Sequence, residues 1–164
     1  MRKTAFAPII DANSKILLLG TMPGEESLRK QEYYGHKSNQ FWKILFTLYN
    51  KPLADNYEER VAFLLENGIA LWDVLQSCEC IGSMDSNIKN EQPNDFQKFY
   101  KKHPHIKQIF FTSQKAKQFY FKYVGLDKEH TFSVLPSPSP ANARMRLSEK
   151  IETWKEILES VLSL

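Results

Sequence analysis

The sequence predicts an α/β protein with three layers, α/β/α, around a central four-stranded mostly parallel sheet. Three observations carry this expectation. Four short apolar runs alternate with segments of helical periodicity, the signature of βαβ crossovers. The runs around Ile16–Leu19 and Ile109–Phe111 show no polar alternation, as befits strands buried on both faces. Gly68 and Gly125 stand where two helical patterns stop, the usual place for a residue closing a helix in the left-handed region.

Taken in order, Phe6–Ile10 reads as a first edge strand or an ordered lead-in, and Asp11–Ser14 as a turn. Lys15–Thr21 is the first central strand. A helix from Asn39 places Phe41, Ile44, Leu45 and Leu48 on one face and ends near Asn50, since Pro52 blocks continuation. Tyr57–Asn67 repeats Val61, Leu64 and Leu65 at helical spacing. Ile69–Leu75 is the second strand, and residues 76–93 form a long polar loop. Asn94 and Asp95 cap a helix that runs to about His103, before Pro104. Lys107–Thr112 is the third strand, Gln114–Val124 a helix, and His130–Leu135 the fourth strand. Pro136–Asn142 is a rigid loop. Leu147–Leu164 is a terminal amphipathic helix burying Ile151, Trp154, Ile157, Leu158, Val161 and Leu162. Without an internal repeat or linker, residues 1–164 are expected to form a single domain.

Composition narrows the classes. With 164 residues, 42% hydrophobic and 25% charged, the chain can bury a real core as a soluble protein. No apolar run reaches the length of a membrane span and no signal-peptide pattern opens the chain, so no membrane partner and a cytoplasmic location are expected. Cys78 and Cys80 are two residues apart, too close for an unstrained bridge, and should be reduced. Together with His103 and His105 they lack the spacing of a zinc finger, so no metal is expected. No cofactor is expected either: the chain has neither a G-x-G-x-x-G fingerprint nor a Gly-Lys-Ser/Thr phosphate loop. Charge is uneven. Residues 1–94 hold 10 basic and 12 acidic side chains (net −2), and residues 95–164 hold 12 and 7 (net +5). A basic half suits a phosphate-backbone partner.

Two loops carry the chemistry. Between the first strand and its helix lie about twenty residues with neither periodicity, and a loop that long in a compact domain is usually functional. Gly20 and Gly24 permit close backbone approach, and Pro23 stiffens the turn between them. Tyr33 and Tyr34 offer faces that could stack on a base. The Asn39 amide both donates and accepts. The plainer alternative is a tight strand exit followed by Ser38 or Asn39 as a helix cap. The second loop reads Leu-Pro-Ser-Pro-Ser-Pro-Ala-Asn-Ala-Arg-Met-Arg, from Leu135 to Arg146. Its prolines keep it stiff. Ser137 and Ser139 suit phosphate oxygens, and Met145 between Arg144 and Arg146 could wedge into a base stack. The alternative is a proline-rich connection with solvated arginines.

Gly20-Thr-Met-Pro-Gly24, His36-Lys-Ser-Asn-Gln-Phe-Trp42 and Leu135-Pro-Ser-Pro-Ser-Pro-Ala141, in this order, resemble motifs of the uracil-DNA glycosylase superfamily. Gly68-Ile-Ala-Leu-Trp-Asp-Val-Leu75 and Gly82-Ser-Met-Asp-Ser86 resemble its hypoxanthine-DNA (deoxyinosine) glycosylase branch. The resemblance spans nearly the whole chain. It implies a uracil-DNA glycosylase-like fold and a monofunctional enzyme of base-excision repair. Its partner would be double-stranded DNA with a damaged or mismatched base, and the protein is expected to be a monomer. Met22 stands where related branches carry a water-holding Asn or an Asp. The resemblance therefore implies Asn39 as the catalytic residue. It implies a base pocket of Gly20, Thr21, Met22, Pro23, Gly24, Tyr34 and Ser113. DNA contacts would come from Ser27, Ser137, Pro138, Ser139, Arg144, Met145 and Arg146. His36, Asp73 and Asp85 would assist, although His36 and Asp85 also suit capping roles and Trp72 a core position. Leu135 and Thr112-Ser113 replace residues of dedicated uracil enzymes. A mismatch-specific uracil/thymine glycosylase and a non-catalytic damaged-DNA binding module remain as alternatives.

Overall fold

A computed structural model describes residues 2–164; Met1 lies outside the described residues. Four parallel strands form the central sheet, in spatial order β3-β2-β6-β7. Their ranges are Ile16–Gly20 (β2), Ile69–Asp73 (β3), Gln108–Phe111 (β6) and Thr131–Val134 (β7). Successive side chains of a strand point to opposite faces. Ile16 and Leu18 therefore enter one core with Ile69, Leu71 and Phe110. Leu17 and Leu19 enter the other with Ala70, Trp72, Ile109 and Phe111. Burying each of these side chains fully contributes about 1.5–3 kcal/mol, which is why the central strand tolerates no polar residue on either side.

Helices cover both faces. On the first lie α2 (Phe41–Leu48), α3 (Tyr57–Glu66) and α6 (Leu147–Leu158). On the second lie α4 (Phe96–Lys102) and α5 (Gln114–Tyr123). Asn56, Asp95 and Ser113 cap α3, α4 and α5, each accepting a backbone N–H of the first turn. Gly68 and Gly125 hold φ of +73° and +84°, where other residues are strained. Trp154, Leu158 and Leu162 are buried as expected, but α6 ends at Leu158 instead of continuing to Leu164.

Phe6–Ile10 is the ordered lead-in and not an edge strand: Ile9 makes an isolated antiparallel bridge to Leu71. The polar stretches departed from expectation. The first strand is β1 (Arg2–Thr4), and residues 76–93 are not simply a loop. They contribute to β4 (Leu75–Glu79), a short 3-10 turn (Asp85–Asn87) and β5 (Lys89–Pro93). These build a second, antiparallel sheet in order β1-β4-β5. Its outer strands β1 and β5 are short, polar and largely exposed, so they lack the apolar alternation that announces a strand. Within the first long loop a short helix, α1 (Glu25–Lys30), was likewise missed.

This topology positions the site. The chain leaves β2 toward α2 on one face, and leaves β6 toward α5 on the other. Neighbouring strands whose connections diverge open a crevice at their carboxyl ends, where open α/β sheets bind ligands. The crevice falls between Gly20-Thr21 and Thr112-Ser113.

Candidate active site

The Thr21 and Ser113 hydroxyls span this crevice at 3.2 Å. Ser113 Oγ also accepts the Ala116 N–H, because Ser113 caps α5. Thr112 Oγ1 donates to the Leu19 carbonyl, so it receives the Tyr34 hydroxyl proton across 2.8 Å. Tyr34 thus bridges the first loop to the strand ends. Its backbone sits at φ +53°, a region that costs an ordinary L-residue about 1–2 kcal/mol. Three contacts enforce it. The ring stacks on Phe41 at 3.9 Å, the preceding carbonyl accepts the Trp42 indole N–H, and Gly35 donates to Ser27 Oγ. Burial holds the Tyr34 phenol well above its usual range, so it stays protonated. Gly20 permits this arrangement: a Cβ there would sit 2.7 Å from Asp73 Oδ1 and 2.9 Å from Tyr34 Oη.

Tyr34 and Asn39 line one cleft of about 490 Å³, with His36, Gln40 and Lys43 on its wall. The size is usual for a ligand site. Asn39 is half-buried, not adrift in solvent. Its Oδ1 accepts the Phe41 N–H at 2.9 Å, which fixes the amide's orientation at the mouth of α2. One lone pair of Oδ1 remains, and Nδ2 donates to no acceptor among the described residues. His36 is exposed, and its Nδ1 accepts the Ser38 N–H within the turn before α2.

The two distant loops meet here. The Gln40 N–H donates to the Pro138 carbonyl at 2.9 Å. Lys150 Nζ donates to Gln40 Oε1 at 2.8 Å and to the Ser139 carbonyl at 3.3 Å. The Trp154 indole N–H holds the Pro136 carbonyl at 2.8 Å. Lys150 is 1% exposed and forms no ion pair among the described residues; burial lowers its basicity. Neither Lys150 nor Gln40 was foreseen. The available signal was a lysine four residues before Trp154, on the apolar stripe of α6. Replacing Lys150 by Met leaves two half-buried acceptors without their donor, and a loss of about 1–3 kcal/mol is expected. Urea denaturation checks this; stability within about 0.5 kcal/mol of wild type would show that the amine is dispensable.

Several expected contacts are corrected. Ser27 is buried, and its hydroxyl serves Gly35 instead of a DNA phosphate. Tyr33 is 4% exposed and donates to the Ala7 carbonyl, so no base can stack on it. Pro138 is buried; its carbonyl joins the loops and its ring faces no partner outside the protein. Ser137 and Ser139 each accept a local N–H, from Ser139 and Ala141, which leaves their own protons to donate. Arg144 and Arg146 are exposed, with Met145 half-buried between them.

One carboxyl lies beside Gly20. Asp73 ends β3 at 4% exposure, and its Oδ2 has no hydrogen-bond partner among the described residues. Burial, reinforced by the Asp85 charge, pushes Asp73 up to about 7. Burial raises Asp85 as well, opposed by the Thr21 hydroxyl and the Lys115 charge. Asp85 sits on the β4–β5 loop, which leans on the first turn: the Glu25 N–H donates to Ser83 Oγ, and Lys3 Nζ to the Gly82 carbonyl. Met22, Pro23 and Asp85 line the seam between them. Cys78 and Cys80 are free thiols.

A glycine-bearing strand exit, an amide at the mouth of the following helix and a proline-rich loop after the last strand define one class of protein. The family model of the uracil DNA glycosylase superfamily matches residues 7–160, and the chain belongs to that superfamily. A protein of Methanosarcina barkeri named hypoxanthine DNA glycosylase is 36% identical over 159 residues, covering 95% of this chain and 98% of its own. Its namesake from Methanosarcina acetivorans is 37% identical over 158 residues, covering 96% and 98%. The solution NMR structure of a candidate uracil DNA glycosylase from Methanosarcina acetivorans superposes with a TM-score of 0.77 at 36% identity. It covers 96% of this chain and 99% of that one.

Proposed function

We propose that this protein is a monofunctional DNA glycosylase that removes a deaminated base, hypoxanthine above all, from double-stranded DNA. The observation that carries this reading is the single cleft shared by the Asn39 amide and Tyr34, bonded through Gln40 to the proline-rich loop. Superfamily membership supports the reaction class, and the names of the two Methanosarcina relatives support hypoxanthine.

In the reaction, the bond between C1′ and the base nitrogen breaks and its electron pair leaves with the base. Water adds its oxygen to C1′, one water proton is released, and the departing base takes up a proton. The products are free base and an abasic site. Cationic character at the sugar means that water needs orientation more than activation. The Asn39 carboxamide has the remaining acceptor and the donor for that task, without any basic group. Tyr34 walls the everted base, and the backbone donors of the turn from Thr21 to Gly24, Pro23 excepted, stabilise its developing negative charge.

A nicking assay tests this, using duplexes that contain deoxyinosine, deoxyuridine or mismatched thymine, with alkali to break abasic sites. Cleavage should be fastest at deoxyinosine; no cleavage of any of the three would leave only a binding module. Arg144→Ala and Met145→Ala should each weaken duplex binding or base eversion about 3- to 30-fold, consistent with one lost phosphate or stacking contact. Unchanged activity in both would remove the wedge role from this loop.

A further inference from the structure

Lys150 takes no part in the hydrolysis described above, yet its placement needs a reason. With Trp154 and Leu158 it forms the buried line of α6. Lysine is rarely buried without a counter-charge, and an apolar residue would suit that line better. What an apolar residue lacks is donors. The Lys150 amine directs two at once, to the Gln40 side chain at 2.8 Å and to the Ser139 carbonyl at 3.3 Å. Gln40 stands at the start of α2 and makes no side-chain capping bond for its own helix. Its peptide N–H holds the Pro138 carbonyl and its side chain holds Lys150, so it is fixed from two sides. Asn39 is the residue before it. On the other flank His36, Lys37 and Ser38 are exposed, and the Asn39 N–H bond to the His36 carbonyl closes a turn in solvent. The firm end of the Asn39 backbone is therefore the Gln40 end. The Trp154 indole separately ties Pro136 to α6, so the loop keeps an anchor without Lys150. What the amine adds is a link from α6 through Gln40 to Asn39.

We propose that Lys150 is a positioning residue for base release: by gripping the Gln40 side chain and the Ser139 carbonyl together, it holds the Asn39 amide in register with the proline-rich loop. This rests on the glycosylase reading and adds the group that keeps the water-holding amide aligned. At 1% exposure Lys150 reaches neither water nor nucleotide, and it acts through Gln40. A carboxamide that only orients water has no basicity to offset a poor angle, so its contribution depends on geometry. A misplacement of about 1 Å can cost about 100-fold in rate. Two contacts that survive the loss of Lys150 limit the slip. They are the Gln40–Pro138 bond and the edge contact of Phe41 on Trp154, with ring centroids 6.0 Å apart. A fall of about 10-fold is therefore the expected size.

The test is single-turnover release of hypoxanthine from a deoxyinosine duplex at saturating enzyme, at a temperature where urea titration shows each variant folded. Lys150→Met should be slower than wild type by about 10-fold, with little change in duplex affinity. In an Asn39→Ala background the same substitution should slow the reaction no further, because its route runs through the missing amide. Gln40→Ala leaves Lys150 in place and should reproduce the slow rate; adding Lys150→Met to it should change nothing more. Equal slowing with and without Asn39 would make Lys150 a stabilising residue only and overturn the proposal. So would a wild-type rate in either Lys150→Met or Gln40→Ala. A second measurement needs no catalysis. Nitrogen relaxation of the Asn39 side-chain amide should report an ordered group in wild type and a mobile one in Lys150→Met. Absence of cleavage by the wild type would remove the reaction, and the relaxation comparison would still decide the coupling: equal order in both proteins overturns it.

Discussion

Asn39→Ala should lower the rate of base release about 100- to 1,000-fold, the usual effect of removing one preorganised polar group from a reacting centre. Duplex binding should change little. The substitution also removes the side-chain acceptor of the Phe41 N–H, costing about 1 kcal/mol as a lost local hydrogen bond. Asn39→Asp separates the two effects. It keeps an acceptor for Phe41 and loses the donor that Nδ2 provides. If water is held through both faces of the amide, the aspartate variant will fold as well as wild type and still be slow. Single-turnover cleavage beside thermal denaturation decides. A slow alanine variant that recovers full activity once refolded at low temperature would reduce Asn39 to a structural role.

Asp73→Asn should stabilise the protein at pH 8 and have little effect near pH 4. The folded state holds Asp73 at about 7, against an ordinary value of 3.8. Below pH 4 the carboxyl is protonated whether the chain is folded or not, and nothing is lost. As pH rises toward 7 the unfolded chain releases a proton that the folded protein retains, so stability falls. Above 7 the full cost is present, at most about 4 kcal/mol. An uncharged isostere escapes it, with a gain in melting temperature of up to about 10 °C at pH 8 for a chain of this size. A stability difference that stays flat between pH 5 and pH 8 would mean that Asp73 is not held in this state.

The central sheet was legible because its strands are buried on both faces, which writes a run such as Ile16–Leu19 without interruption. The motif loops were legible through glycine and proline, whose backbone effects are local. Burial of individual polar side chains was not. Tyr33 and Tyr34 are neighbours of one chemical type, yet one is sealed in the core and the other lines the cleft. Only the tertiary path of the loop separates them. Ser27 failed for the same reason: a hydroxyl beside a glycine-rich turn looks available until Gly35 folds back onto it. The small antiparallel sheet was hidden because Arg2–Thr4 and Lys89–Pro93 are held by pairing with β4 more than by burial. Lys150 was hidden because a lone lysine on a helix reads as solvated.

The ammonium of Lys150 clamps two segments separated by more than 90 residues, and it does so from inside the protein. That side of the cleft behaves as an anvil. The β4–β5 loop, which rests on Glu25 and Lys3 through partly exposed bonds, is hung more lightly. Substitutions between Ile81 and Ile88 are therefore expected to leave the junction of Gln40 with Ser139 in place.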